Sequence, residues 1–197
     1  MGITIHYKGK LNKPDLLNTF CYEIKDIAKD MNWSFNILNN DLNKPNSSYM
    51  DEDGYIKGHI PLRGVNVIIH PKAESLSFLF DKNGNLRNIL MMTYKNGKES
   101  EASYIFIKTQ FAPIEIHITI IKLLEYVKRK YISNLEVIDE GNYWETRDKK
   151  ILEEKSSFLN KKIDQIGNII SEIKVDGADS PETILRKIED VLNKKLL

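Results

Sequence analysis

Apolar and polar residues alternate near the start of the chain. Ile3, Ile5 and Tyr7 fall on one side of an extended segment and Thr4, His6 and Lys8 on the other, which predicts a half-buried strand over residues 3–8. The period then lengthens. After Asn12-Lys13-Pro14-Asp15, with proline where a first helical turn tolerates it, Leu16, Leu17, Phe20, Ile24, Ile27 and Met31 recur three or four apart. This stripe predicts a helix capped at Asn32, with Cys21 beside the apolar face and a strand following over 33–38. Residues 39–53 are rich in Asn, Asp, Ser and Pro and read as a mobile surface loop. A meander of strands is expected next, over 55–62, 65–70, 76–81, 87–94 and 103–109. Turns are expected at Lys82-Asn83-Gly84-Asn85 and Lys95-Asn96-Gly97. Helical spacing returns over 113–131, where Ile114, His117 or Ile118, Ile121, Leu124 and Tyr131 mark the buried stripe. Lys128, Arg129 and Lys130 suit its carboxyl end. Strands are expected over 135–139 and 143–145.

From about Asp148 onward the pattern is helical only. Leu152, Leu159, Ile163, Ile166, Ile170 and Ile173 form one stripe. Ser180-Pro181 opens a second helix with Ser at the N-cap and Pro at its first position. The expected organisation is a domain over 1–147 and a helical hairpin over 148–197. The first is an α+β two-layer sandwich, with a mostly antiparallel curved sheet carrying two long helices on one face. Its element order resembles the TATA-binding-protein-like fold class and, less closely, a helix-grip fold. That likeness of order carries no implication of DNA binding. The hairpin is polar around most of its circumference. It must either cover the sheet or meet another copy of the chain, giving a homodimer through the carboxyl-terminal helices.

The chain has 197 residues, 41% apolar and 29% charged, an ordinary balance for a soluble globular protein able to bury a core without disulfides or metal. Its 29 basic and 28 acidic side chains leave a net charge of +1, which argues against a dedicated nucleic-acid binder. The single Cys21 points to a reducing, cytoplasmic setting and reads as an inert thiol. No run of about 18 apolar residues is present, so no membrane partner is expected, and the amino terminus lacks an apolar leader segment. The excess of Lys, Ile and Asn suggests a bacterial source. His6, His59, His70 and His117 show no metal-binding spacing, and no glycine-rich phosphate cradle or cofactor motif occurs.

Chemistry is concentrated over 108–145. A strand ends at Lys108 and Gln110, a helix carries His117, and the next strand ends at Asp139 and Glu140, followed by Tyr143, Trp144 and Glu145. The unit can gather these groups at one sheet edge. In a functional reading Lys108 holds an anion and His117 exchanges protons with Glu140 or Glu145. Gln110 and Asp139 bind the ligand, and Tyr143 and Trp144 stack on its planar part. In a purely architectural reading His117 sits on the buried stripe and pairs with a strand or carboxylate. Gln110 then caps the helix start, and the two aromatics pack over the sheet.

The blocks Lys108-Thr109-Gln110-Phe111-Ala112, His117, Leu123-Leu124-Glu125-Tyr126, Lys130-Tyr131, Asp139-Glu140-Gly141 and Tyr143-Trp144-Glu145-Thr146 resemble a family of uncharacterised bacterial proteins. The likeness extends over residues 1–150 and is most specific over 108–146. It implies a fold and no reaction. With no catalytic signature beside a strongly amphipathic tail, the expected function is a non-enzymatic protein binding a small ligand or a protein partner, with a helical oligomerisation tail. The enzymatic alternative is a small hydrolase or transferase using His117 with Glu140 or Glu145, and Lys108 as electrophile. A third reading is a nucleic-acid-associated module using the open sheet face.

Overall fold

A computed structural model describes residues 3–93, 105–171 and 179–196. The chain divides into two compact units, Gly2–Leu152 and Glu153–Leu197. The first contains β1 (Thr4–Lys8), a single 3-10 turn at Pro14–Leu16, α1 (Leu17–Asp30), β2 (Ser34–Asn39), β3 (Tyr49–Met50), β4 (Ile56–Lys57), β5 (Arg63–Ile68), β6 (Leu76–Phe80), α2 (Ile89–Thr93), β7 (Ile105–Lys108), α3 (Ile114–Lys130), β8 (Glu136–Asp139) and α4 (Tyr143–Thr146). It is an α+β structure in which every strand pair among the described residues is antiparallel.

Among the described residues the strands fall into separate ladders rather than the one curled layer that the sequence suggests. They form a three-stranded sheet ordered β7-β1-β8, a second ordered β2-β5-β6, and the ribbon β3-β4. The first strand of the chain is thus the centre of its sheet. His6 lies opposite both Phe106 and Ile138, and Thr4 lies opposite Lys108. Alternation along β1 works as expected: Ile3, Ile5 and Tyr7 are buried while Thr4, His6 and Lys8 reach the outer face.

The two sheets share one core. Phe20 of α1 sets its ring edge-on to Phe78 and Phe80 of β6 and to Tyr131 at the end of α3, with centroids 5.1–5.3 Å apart. Such tilted aromatic contacts add to the area they bury. The same helices are tied at the surface, where Lys130 meets Glu23 at 2.5 Å and the Tyr131 hydroxyl donates to the same carboxylate. α1 buries Leu17, Phe20, Ile24 and Ala28; α3 buries His117, Ile120, Ile121, Leu123, Leu124 and Val127. Asn32 takes the left-handed conformation just beyond α1, at φ 55°, as a carboxyl-terminal cap requires.

Three expected strands take other forms. Within the strand expected over 87–94, Ile89–Thr93 forms α2 instead, because the Asn88 side chain accepts from the Leu90 N–H and starts a helical turn. Over 143–145 it forms α4, bracketed by Asn142 and Arg147 in left-handed conformations. Over 55–62 only Ile56–Lys57 pairs. Gly58, at φ 79°, turns the chain where a Cβ would strike the Ser47 carbonyl. The 39–53 segment carries β3 and is pinned rather than loose: Asn40 donates to the Ile60 carbonyl and Asn46 to the Met92 carbonyl. The turn expected at Lys95-Asn96-Gly97 and the strand start at 103–104, including Tyr104, lie outside the described residues.

The second unit continues α5 (Lys149–Ser171) and contains α6 (Pro181–Leu196). The Ser180 hydroxyl accepts from the Thr183 N–H, the N-cap that the sequence indicates. Phe158, Ile163 and Ile166 on α5 and Leu185 on α6 are exposed. No described helix is long and apolar enough to cross a membrane.

Candidate functional site

The end of β7, the first turns of α3 and the end of β8 converge on one buried carboxylate. Register explains why. β1 pairs with both β7 and β8, so the residues that follow those strands meet at the same end of the sheet. Odd-numbered residues of β7 face inward, which carries Thr109 to the helix side and leaves Phe106 and Lys108 outside.

Asp139 is the hub. Its Oδ1 accepts from the Gly141 N–H at 2.7 Å and its Oδ2 from the Trp144 N–H at 2.9 Å. His117 Nε2 lies 3.1 Å from Oδ1, within ion-pair range though out of line for a straight hydrogen bond. The other ring nitrogen, Nδ1, lies 2.7 Å from the Thr109 hydroxyl, which itself reaches the Ile3 carbonyl at 3.3 Å. A doubly protonated ring lets Nδ1–H donate to Thr109 and frees the hydroxyl hydrogen for Ile3. A neutral ring with its proton on Nε2 accepts that hydrogen instead. Burial pushes the Asp139 carboxyl up, but the His117 ring and the N–H groups of Trp144 and Gly141 together outweigh it. The net position is below the ordinary carboxylate range.

Hydroxyl, imidazole and carboxylate in sequence is the order of a nucleophile, a base and its orienting group. Access decides the matter. The side chains of His117 and Asp139 are 3% and 0% exposed, and Thr109 is buried as well. No reacting atom can touch them while the fold is closed. Gly141 seals the cluster further. A Cβ there would meet Leu152 Cδ1 at 2.6 Å, Asp139 Oδ1 at 3.0 Å and His117 Cε1 at 3.1 Å.

The other sequence-derived candidates lie elsewhere. Glu140 accepts from the Thr4 N–H at 2.9 Å and stands 3.9 Å from His6 Nε2, at the rim of the outer sheet face. Lys108 is on that outer face, and its main-chain N–H donates to Glu74 at 2.7 Å. Glu145 is exposed and makes no hydrogen bond or ion pair among the described residues. Tyr143 and Trp144 pack on the core edge. The Trp144 ring is flanked by the Lys128 ammonium at 5.6 Å and the Arg147 guanidinium at 5.0 Å from its centroid. Arg147 also pairs with Glu125 of α3, which fastens the 139–147 turn to the helix. Gln110 is buried, and neither polar atom of its side chain has a hydrogen-bond partner among the described residues.

Thus His117 and Asp139 are brought together, with Thr109 as a third member, while Lys108, Glu140 and Glu145 go to other surroundings. Thr109 carried a signal that was available: it ends an alternating strand on the inward phase, eight residues before His117. Among the described residues no three His, Cys, Asp or Glu side chains converge as a metal ion would need. Comparison with known families, curated proteins and solved structures finds no match for this chain.

Proposed function

We propose that this chain is a non-enzymatic interaction protein that binds a protein partner, with its helical tail serving self-association. The observation that carries the reading is the sealing of the hydroxyl–imidazole–carboxylate cluster of Thr109, His117 and Asp139. His117, Asp139 and Thr109 are spent on joining β7, α3, β8 and α4, and all three are buried. The surface supports a binding role. Phe106 and Ile138 flank His6 on the outer face of the β7-β1-β8 sheet and are 40% and 57% exposed. In the tail, the exposed Phe158, Ile163, Ile166 and Leu185 are apolar groups that a second copy would cover. The reading keeps the finer expectations together: a TATA-binding-protein-like arrangement, a bacterial cytoplasmic setting, and kinship with the uncharacterised family whose blocks the 108–146 segment resembles.

Two measurements on the full chain test it. Light scattering should give a dimer that Ile163→Glu with Ile166→Glu converts to monomer; a strict monomer in the unaltered chain removes the tail's role. A panel of ester, amide and phosphoester substrates should show no turnover. Turnover abolished by Thr109→Val or Asp139→Asn in folded protein would overturn the non-enzymatic reading.

A further inference from the structure

The second sheet has an open edge that lacks the usual protection. β2 is the outer strand of β2-β5-β6 and has no further partner strand among the described residues. Its sequence, Ser34-Phe35-Asn36-Ile37-Leu38-Asn39, contains no charged residue and no proline, the residue types that normally discourage another chain from pairing. The strand is not flush with its surroundings. α1 runs alongside it and leaves a groove of about 150 Å³. Leu17, Cys21 and Lys25, each one helical turn apart, form the helix wall with Tyr22 beside Cys21, and Ile37 and Arg63 belong to the sheet wall. Tyr22 and Ile37 are 67% and 52% exposed at its rim.

The groove has a definite electrostatic sign. No Asp or Glu lines it, whereas Lys25 and Arg63 both do. Neither cation has an ion-pair partner among the described residues: Arg63 uses its Nε–H on the Asn40 carbonyl, and the Lys25 ammonium lies 5.9 Å from the Tyr22 ring centroid. A strand beside a helix with an apolar floor between them is the geometry for adding an extended peptide. Main-chain hydrogen bonds hold such a peptide to the edge, and alternate side chains enter the groove.

We propose that the α1–β2 groove binds an extended acidic peptide segment of a partner protein, added to the sheet along β2. Alternate apolar side chains of the segment sit against Leu17, Cys21 and Ile37, and its carboxylates face Lys25 and Arg63. Charge separates this occupant from a second copy of the chain. Two-fold pairing of β2 with another β2 sets two grooves along one seam, each lined by Lys25 and Arg63 and by no acid of its own. The proposal rests on the interaction-protein reading and supplies the chemistry of the partner.

The test uses the full chain and three fluorescein-labelled octapeptides: one alternating valine with glutamate, one alternating valine with lysine, and the glutamate peptide N-methylated at alternate amides. Fluorescence anisotropy should detect binding of the unmethylated acidic peptide alone. Lys25→Glu and Arg63→Glu should each weaken it about tenfold. Amide resonances of β2 should shift on titration. Absence of binding by the acidic peptide, equal binding by the lysine or methylated peptides, or indifference to both charge reversals overturns the proposal. A dimer that Ile37→Glu dissolves overturns it as well, by giving the edge to a second copy. A silent titration beside a chain that turns over no substrate removes this site and leaves the broader reading standing.

Discussion

The Tyr7 hydroxyl donates to the Ser77 carbonyl at 2.7 Å and accepts from the Ser77 N–H at 3.0 Å. One side chain of the first sheet thereby satisfies both main-chain groups of a residue on an outer strand of the second. Tyr7 is buried against Phe78 and cannot be replaced there by water without opening the core. Burial pushes its phenol well above the ordinary tyrosine range, so it remains a donor at any working pH.

Tyr7→Phe should therefore destabilise the protein by about 1–3 kcal/mol, since it leaves two main-chain groups without a partner and removes almost no apolar surface. Equilibrium urea unfolding measures this. A loss below about 0.5 kcal/mol would show that Ser77 finds other partners.

Gly141→Ala should cost about 1–3 kcal/mol through crowding at Leu152, Asp139 and His117. Leu152 is the closest neighbour, so Leu152→Ala should relieve part of the strain. The double variant should then be less destabilised than the two single losses added together. Simple additivity would place the conflict elsewhere.

Thr109→Val is nearly isosteric and leaves Nδ1 of the buried His117 without its partner. A loss of about 1–3 kcal/mol is expected, and Thr109→Ser should restore most of it. The tautomer of His117 is a second readout: nitrogen-15 shifts of the ring should change in the valine variant and return in the serine one.

Acid should weaken the fold through Asp139. Its carboxyl binds a proton less readily in the folded chain than in the unfolded one, where such a group titrates near about 3.9. The unfolded state takes up more protons as pH falls, so the stabilisation is complete above about pH 5 and is lost on descending through the folded value. Asp81 acts in the same direction. Burial pushes its carboxyl up, and hydrogen bonds from Asn85 and Arg87 together with the Arg87 charge more than offset that. Asp139→Asn should flatten, without abolishing, the fall in urea midpoint between about pH 6 and pH 3. An unchanged slope would show that Asp139 is not held as a carboxylate.

Periodicity alone disclosed α1, α3, α5 and α6 and much of the strand content. The stripes of α1 and α3, the inward phase of β1 and the Ser180 cap depend on neighbours a few residues apart, and such relationships are written locally. The meeting of His117 with Asp139 was foreseeable as a sheet-end unit. Its closure was not, because burial at Gly141 depends on Leu152 arriving from the next helix. α2 replaced an expected strand because one side chain, Asn88, starts a helical turn inside an apolar run that fits either form. The division into two sheets depends on pairings between residues many tens of positions apart, such as Thr4 with Lys108, and no local period records them.

The central position of β1 has a consequence for biosynthesis. β1 emerges from the ribosome well before both of its neighbours, β7 and β8, which are translated only after residue 104. Until then the nascent chain carries a strand unpaired along both flanks, a template for wrong partners. Productive folding of this unit is thus a late event, timed by the appearance of Asp139 rather than by the early helix. Synthesis that stalls before that residue should leave material for chaperones or proteases instead of a folded intermediate.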